Sequence, residues 1–352
     1  MTDFAHGGDI YAYSDKLLDF SANISPLGLP DSVQSALTAS IDSWSGYPDP
    51  YCRKLKAAIA GYHTIPEASI ACGNGAAELI YKVVQAVKPR RALVTAPSFS
   101  EYRQALSLMG CGILDYFLDA KDGFCVTEKL LTVLNPPLEL LILCNPNNPT
   151  GQTMEPGLLN KIIKTCAEKK IHILLDECFI PFLEDADAHT KIPLLSDYPN
   201  LLILRAFTKF YAMAGLRLGY LLCSDDALLR KISACGQPWS VSAPAQIAGV
   251  AALADTEYAD RLRHVIRKER AYLTGALKQL GLCVIGSQAN YLFFQYNGMN
   301  HLKERLLKDK ILIRSCGNYL GLDRDFYRVS VRTHVENQRL IEAIAGIIGE
   351  EG

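Results

Sequence analysis

The alternation of short apolar runs with helix-length amphipathic segments is the feature that most constrains the fold of this chain. Between about residues 68 and 223 the apolar runs are ALVTA (92–96), LELLILC (138–144), IHILLDE (171–177), LLILRAF (201–207) and LGYLLC (218–223). Segments of helical length, such as 76–87 and 155–170, separate several of them. Nearly continuous apolar strands separated by helices are typical of a parallel sheet that is covered on both faces. The sequence therefore predicts an α/β fold.

The regions on either side of this pattern have a different character. Residues 1–30 are an irregular stretch rich in Gly, Pro and Asn, and a helix is predicted from Pro30 to about residue 43. After about residue 240, one long helical pattern is followed by strand-like runs and a last helix, at 242–280, 291–296, 311–314, 326–332 and 335–349. We expect a large domain with a mostly parallel sheet over residues 46–240 and a smaller α+β domain over residues 241–352. An N-terminal arm, residues 1–45, is expected to pack against the smaller domain.

Composition excludes several classes of protein. The formal net charge of the 352 residues is −1, which provides no field for nucleic acid or for an acidic membrane surface. No apolar run approaches the roughly 20 residues needed to span a bilayer, and the start MTDFAHGGDIYAYS lacks the pattern of a signal peptide. The eleven cysteines are scattered and form no CxxC pair. We therefore expect a cytoplasmic protein with reduced cysteines in its core and no metal site.

Polar residues follow the predicted strands, and in open α/β sheets ligands bind beyond the carboxyl ends of the strands. The strand at 69–72 precedes Gly73-Asn74-Gly75-Ala76-Ala77-Glu78, where glycines would let backbone N–H groups approach an anion at a helix N-terminus. The strand at 139–144 precedes NPNNPTG (145–151), a rigid loop that can aim an amide side chain. A plain strand-to-helix turn and a plain loop are the structural alternatives for these two segments.

Charged residues follow the next two strands. Asp176-Glu177 ends one apolar run, and a carboxylate there is either paired with an arginine or available to a ligand. Thr208-Lys209 follows the run at 201–205, and Arg217 comes shortly afterwards. Pyridoxal 5′-phosphate accounts for all four strand ends. Its phosphate suits a helix N-terminus and an arginine, its aldehyde needs a lysine, and its ring nitrogen needs a carboxylate to stay protonated.

The segments GNGA, NPNNPTG, DECF and TKFYAMAGLRLGY together resemble fold type I pyridoxal-phosphate enzymes of the class I/II aminotransferase superfamily, over almost the whole chain. More narrowly, the chain resembles the branch of histidinol-phosphate aminotransferases and threonine-phosphate decarboxylases. The resemblance implies that Lys209 holds the cofactor aldehyde as a Schiff base and that Asp176 pairs with the pyridinium nitrogen. It implies that Asn148 bonds the phenolic oxygen. The residues implied to hold the cofactor phosphate are Gly75, Ala76, Ala77, Thr208 and Arg217.

Two aromatic residues and one departure complete this comparison with the family. Phe99, in APSF, matches the aromatic residue that stacks on the cofactor ring. Tyr47, in YPDP, matches a tyrosine that reaches the cofactor phosphate of the neighbouring subunit, which implies a homodimer with shared active sites. Ala206 stands where the family usually has serine, so one phosphate contact is missing or replaced.

Three features favour the decarboxylase side of this branch. They are the arm FAHGGDIYAY with LDFSANISPLGLP, Phe179 where the aminotransferases usually have tyrosine, and Arg332 where they tend to have a small residue. The implied substrate is a small phosphorylated amino acid, L-threonine O-3-phosphate, and the product is (R)-1-aminopropan-2-yl phosphate for cobalamin biosynthesis. Arg328 is the candidate for the substrate carboxylate. The other substrate-binding candidates are Arg314 and His6, for the substrate phosphate, with Asn148 and Arg332.

Three alternatives remain at the level of sequence. A histidinol-phosphate aminotransferase would share the fold and the cofactor. A serine-phosphate decarboxylase would differ in the substrate by one methyl group, worth about 1–3 kcal/mol of discrimination. A binding protein with a degenerate cofactor fold is disfavoured because Lys209, Asp176, Asn148 and Arg217 are all present. For the three C-terminal arginines, a solvated strand face is the alternative to substrate binding.

Overall fold

The computed structural model describes residues 6–297 and 301–350. The strands in these ranges are short, as expected from the length of the apolar runs. In chain order they are β1 (Leu18–Asp19), β2 (Ile70–Gly73), β3 (Arg91–Ala96), β4 (Gly112–Phe117), β5 (Leu140–Cys144), β6 (His172–Asp176), β7 (Leu201–Ala206), β8 (Gly219–Leu222), β9 (Cys283–Val284), β10 (Tyr291–Gln295), β11 (Ile311–Leu312), β12 (Arg314–Ser315) and β13 (Phe326–Ser330).

The α-helices alternate with the strands through the first two thirds of the chain and dominate the last third. They are α1 (Asp31–Ala39), α2 (Arg53–His63), α3 (Gly75–Val87), α4 (Ser100–Leu108), α5 (Pro156–Glu168), α6 (Ala186–His189), α7 (Asp226–Ala234), α8 (Ala243–Ala254), α9 (Thr256–Gln279), α10 (Leu302–Lys308) and α11 (His334–Gly349). None of these helices is both long enough and apolar enough to cross a bilayer, within the ranges described.

A central sheet in the described part of the chain has the strand order β2-β8-β7-β6-β5-β3-β4. The five strands from β7 to β4 are mutually parallel, whereas β8 runs antiparallel to both β2 and β7. Strands β5, β6 and β7 are buried along their length apart from the first residue of β6, as their continuous apolar sequences predict. The predicted α/β fold with a mostly parallel sheet is confirmed.

A smaller antiparallel sheet, in the order β12-β13-β10-β9, is formed after residue 282. Its strand β13 carries Arg328 opposite Phe293 of β10. The N-terminal arm reaches this region, because β1 pairs in parallel with β11 and the backbone N–H of Ser330 donates to the carbonyl of Phe20 at 2.8 Å. The arm is therefore anchored on backbone contributed by the last fifty residues.

Two details differ from the sequence patterns. The long helical pattern over 242–280 is divided into α8 and α9 at Asp255, whose carboxylate caps α9 by accepting from the N–H of Tyr258. The run ILIR is divided between two sheets, since β11 pairs with the arm and β12 pairs with β13. Both divisions arise because a local polar or tertiary contact outweighs a continuous hydrophobic pattern.

One large apolar cluster joins the central sheet, the helices that cover it and most of the smaller sheet. All eleven cysteines are free thiols, and seven of them are buried. The described residues contain no group of three or more His, Cys, Asp or Glu side chains placed to hold a metal ion.

Candidate active site

A cavity of about 880 Å³ lies at the carboxyl ends of β5, β6 and β7. Cys144, Asp176 and Lys209 reach it from these three strand ends, Ser21 from the arm, and Arg328 from the smaller sheet. Of the predicted site residues, the cavity is lined by His6, Ala76, Ala77, Phe99, Asn148, Asp176, Thr208, Lys209, Arg217 and Arg328. Seven of these ten belong to the segments at the strand ends, and the family resemblance added Phe99, His6 and Arg328.

The N-terminus of α3 forms one end of this cavity. Gly75 has a φ of +80°, and a Cβ atom there would lie 2.6 Å from Nη2 of Arg217. A Cβ atom on Gly219 would lie 2.6 Å from the backbone nitrogen of Ala76. These two glycines let β8 and the Arg217 guanidinium approach the first turn of α3 closely. The free N–H groups of a helix N-terminus beside a guanidinium make a site suited to a phosphate.

Lys209 follows β7 and is partly exposed, at the cavity. The arm holds its backbone, because the N–H of Ser25 donates to the Lys209 carbonyl at 2.9 Å. Burial, followed by the nearby positive charge of Arg328, lowers the pKa of the Lys209 amine to about 8. A substantial fraction of the amine is therefore neutral near physiological pH, which is the state that attacks a carbonyl carbon.

Asp176 and Glu177 have separate surroundings although they are adjacent. Glu177 is fully buried and its carboxylate is 2.7 Å from Arg205, so the ion-pair alternative holds for this residue. Asp176 lines the cavity, and no Lys, Arg or His among the described residues lies within 4.0 Å of its carboxylate. Burial raises the pKa of Asp176, while hydrogen bonds from Cys178 and Tyr102 oppose this rise. Such a carboxylate is suited to a ligand cation.

Arg328 is a buried guanidinium that reaches the cavity from the smaller sheet. Its Nη2 donates to the carbonyl of Ser21 at 2.8 Å, and its Nη1 donates to the side-chain oxygen of Asn148. Its Nε has no hydrogen-bond partner, and none of the described Asp and Glu carboxylates lies within 4.0 Å of it. A buried cation without an anion is costly, so this position favours an anionic ligand.

Phe99 and His6 form the aromatic part of the cavity wall. The rings of Phe99 and His6 are 5.5 Å apart, and the edge of Tyr102 meets the Phe99 ring at 5.6 Å. Nε2 of His6 is 2.8 Å from Glu101, whose other oxygen accepts from the hydroxyl of Tyr81 at 2.7 Å. The arm thus closes over the cavity through a histidine–carboxylate contact.

The remaining predicted residues do not line this cavity. Tyr47 is 85% exposed and stacks on Trp239 with their ring centroids 4.8 Å apart. Arg314 lines an adjoining cavity of about 400 Å³ and lies over the ring of Tyr319, 5.2 Å from its centroid. Arg332 is paired with Glu336 at 2.7 Å and donates to the carbonyl of Asp19, so the structure does not bring it to the substrate side.

Several cavity residues were not predicted. They are Gly7, Ser21, Ala22, Asn23, Ile80, Glu101, Tyr102, Gln104, Cys144, Cys178, Phe179, Ala206 and Tyr319. The sequence marks Phe179 as a feature of the decarboxylase side and Ala206 as a departure from the family. Tyr102 lies three residues after Phe99 on α4, which would have been the signal for a shared helix face. The arm residues and Tyr319 carry no such signal, because only the tertiary fold brings them near β6 and β7.

The model of the family "Aminotransferase class I and II" matches residues 15–344, and the chain belongs to this family. The chain is 43% identical to the threonine-phosphate decarboxylase of Salmonella typhimurium, over 98% of this chain and 96% of that protein. It is 31% identical to the adenosylcobalamin biosynthesis bifunctional protein CobDQ of Leptospira interrogans, over 97% of this chain and 41% of that protein. The crystal structure of the histidinol-phosphate aminotransferase from Clostridium acetobutylicum superposes with a TM-score of 0.90 at 31% identity, covering 95% of this chain and 100% of that one.

Proposed function

We propose that this chain is a pyridoxal-phosphate-dependent enzyme that decarboxylates L-threonine O-3-phosphate to (R)-1-aminopropan-2-yl phosphate in cobalamin biosynthesis. The observation that carries this proposal is the 43% identity, over 98% of the chain, to the Salmonella decarboxylase. The similarity to a bifunctional protein of adenosylcobalamin biosynthesis supports the pathway. The geometry of the cavity supports the same chemistry residue by residue.

The cofactor fits the end of the cavity formed by α3 and the strand ends. When bound, pyridoxal phosphate supplies an electron sink for the pair released by cleavage of a bond at Cα. The first turn of α3, with Thr208 and Arg217, would hold the phosphate by N–H and side-chain donors. Asp176 would be the anionic partner of the ring nitrogen. Asn148 would donate its amide to the phenolic oxygen, and Phe99 would stack on the ring.

The substrate carboxylate binds Arg328. This arginine is buried, has a free Nε, and has no carboxylate partner among the residues described, so a substrate carboxylate supplies the missing charge. Because Ser21 and Asn148 fix the guanidinium plane, the clamp also fixes the direction of the Cα–carboxylate bond. That direction would decide which bond at Cα is cleaved when the cofactor is bound. Lys209, with its pKa of about 8, then returns a proton to Cα.

The substrate phosphate lies on the side of His6 and Arg314. His6 is at the cavity wall, and Arg314 lies over Tyr319, a residue that lines both the main and the adjoining cavity. A phosphorylated side chain that extends from Cα past Tyr319 would come to the Arg314 side. This assignment gives the Arg314 guanidinium and the His6 ring a ligand.

The active enzyme is a homodimer that works in the cytoplasm. Tyr47 is highly exposed and stacks on a second exposed aromatic residue, Trp239. Aromatic residues that are exposed together on one chain are typical of the core of a protein interface. In the dimer, Tyr47 would donate to the cofactor phosphate of the other subunit. Sedimentation equilibrium tests whether the protein is a dimer. We expect Tyr47→Phe to lower the affinity for the cofactor while the protein remains a dimer.

The decisive experiment incubates the purified protein, loaded with pyridoxal phosphate, with threonine phosphate, serine phosphate and histidinol phosphate separately. Carbon dioxide and the cofactor absorbance are followed together. Carbon dioxide release from threonine phosphate without a keto acid supports the proposal. Conversion of the cofactor to pyridoxamine phosphate by histidinol phosphate, with no carbon dioxide from the other two, contradicts it.

A further inference from the structure

Tyr102 is a fully buried residue of α4 whose hydroxyl reaches the candidate cofactor site. Its OH donates to Oδ2 of Asp176 at 2.6 Å, and the backbone N–H of Cys178 donates to Oδ1 at 2.9 Å. Each oxygen of the carboxylate therefore accepts a hydrogen bond from the protein. Both donors are neutral. This differs from the adjacent Glu177, whose negative charge is balanced by Arg205.

We propose that Tyr102 is a positioning residue that orients the Asp176 carboxylate and keeps it anionic for the ring nitrogen of the cofactor, an inference that rests on the function proposed above. Neutral donors stabilise a carboxylate without cancelling its charge. An arginine at this place would neutralise Asp176 and remove its attraction for a protonated ring. A hydroxyl leaves the full charge available to the ligand.

The surroundings of Tyr102 fit a fixed donor. Burial and the neighbouring Asp176 carboxylate hold the pKa of the Tyr102 phenol well above its usual range, so the hydroxyl stays protonated and can donate to the carboxylate. The edge of its ring meets Phe99 at 5.6 Å with an interplanar angle of 83°. Tyr102 therefore supports both the carboxylate and the aromatic wall, and α4 sets the distance between them.

Titration of the apoprotein with pyridoxal phosphate tests this role in the full chain. In Tyr102→Phe we expect the Kd for the cofactor to rise about tenfold or more, the typical cost of a lost hydrogen bond to a charged group. We also expect the Kd of the variant divided by the Kd of the wild type to increase as the pH falls. Asp176 without this donor takes up a proton at a higher pH and then no longer attracts a protonated ring. A purely structural role of Tyr102 would not produce this pH dependence.

Tyr220→Phe is the matched control. The Tyr220 hydroxyl is also buried and lies 2.7 Å from Nε2 of His63, but Tyr220 does not line the cavity. The same single oxygen is removed. We expect Tyr220→Phe to lower the free energy of unfolding while leaving the Kd for pyridoxal phosphate and its pH dependence unchanged.

A double-mutant cycle with Asp176→Asn isolates the contact. In the Asp176→Asn background, Tyr102→Phe should change the Kd for the cofactor by less than about twofold, because the anion that it serves is gone. If Tyr102→Phe alone does not fold, adding Asp176→Asn should restore folding, since no buried anion then lacks its donor. Failure of that restoration overturns the proposal, as does an equal effect of Tyr102→Phe in both backgrounds.

Comparison of the wild type with Tyr102→Phe separates this inference from the proposed function. Wild-type protein that binds pyridoxal phosphate and releases carbon dioxide, beside a Tyr102→Phe variant with an unchanged Kd at every pH, overturns the role of Tyr102 alone. Wild-type apoprotein that does not bind pyridoxal phosphate overturns both.

Discussion

Glu177 and Arg205 form an ion pair in the interior, with Nη2 of the guanidinium 2.7 Å from Oε2 of the carboxylate. Asp176, one residue earlier, is at the end of β6 and lines the cavity. Glu177 follows the strand directly, with its backbone N–H donating to the carbonyl of Leu204, and its side chain reaches surroundings different from those of Asp176. One of the two alternatives weighed from the sequence, an arginine partner, applies to Glu177. The other, a ligand, is proposed for Asp176.

Glu177→Gln should lower the free energy of unfolding by about 3–5 kcal/mol, because Arg205 would stay buried without its anion. Denaturant titration at neutral pH measures this loss. Glu128→Gln is the matched control, since Glu128 pairs with Lys161 at 2.7 Å on the exposed surface and its loss should change stability little. Equal effects of the two substitutions would contradict the importance of burial.

The rate at which apoprotein combines with pyridoxal phosphate should rise with pH and level off above about pH 8. Only the neutral amine of Lys209 reacts with an aldehyde, and its pKa is lowered to about 8. The positive charge of Arg328 contributes to this lowering, so Arg328→Met should move the midpoint of the rate profile to higher pH. Stopped-flow absorbance measures both profiles. An unchanged midpoint in Arg328→Met would show that the two groups do not interact.

Arg328→Lys should raise the KM for threonine phosphate by roughly 10- to 100-fold, corresponding to the loss of a charge-assisted bidentate contact. The lysine keeps the charge but cannot reproduce the planar fork that bonds Ser21 and Asn148. Steady-state carbon dioxide release measures the change. A KM equal to that of the wild type would place the substrate carboxylate elsewhere.

Arg332→Met tests a sequence-predicted substrate contact that lines neither the main cavity nor the adjoining one. Because this guanidinium bonds Glu336 and the carbonyl of Asp19, the variant should lose about 1 kcal/mol of stability and keep the wild-type KM within about twofold. Thermal unfolding and substrate titration are the two measurements. A KM that rises as much as in Arg328→Lys would restore the original prediction for Arg332.

The central sheet and the strand-end residues could be predicted because they depend on local pattern. A buried parallel strand must be continuously apolar, and the polar residue that ends it marks the ligand side of the sheet. Asp176 and Lys209 were found this way, and the predicted family and fold are confirmed. The direction of β8 could not be predicted, since its four residues would be equally apolar in either direction.

The rest of the site depends on contacts between distant parts of the chain. Ser21 reaches the cavity because β1 pairs with β11, and a two-residue strand has no recognisable pattern. Tyr102 has the sequence of an ordinary core residue, and its role appears only when its hydroxyl is seen beside Asp176. Arg332 pairs with Glu336, only four residues later in the chain. The surroundings of Arg328, by contrast, come from tertiary structure, since its guanidinium donates to the carbonyl of Ser21.

The contact between Ser21 and Arg328 joins residues 307 positions apart. Proteins are synthesised from the N-terminus, so the arm leaves the ribosome first and β13 leaves it almost last. The contact between Ser21 and Arg328 cannot form before β13 has emerged. The central sheet has all its strands long before then. A nascent chain can therefore contain every strand of the central sheet while the cavity still lacks Arg328. A protein truncated before residue 328 would keep the layered sheet but have no catalytic activity.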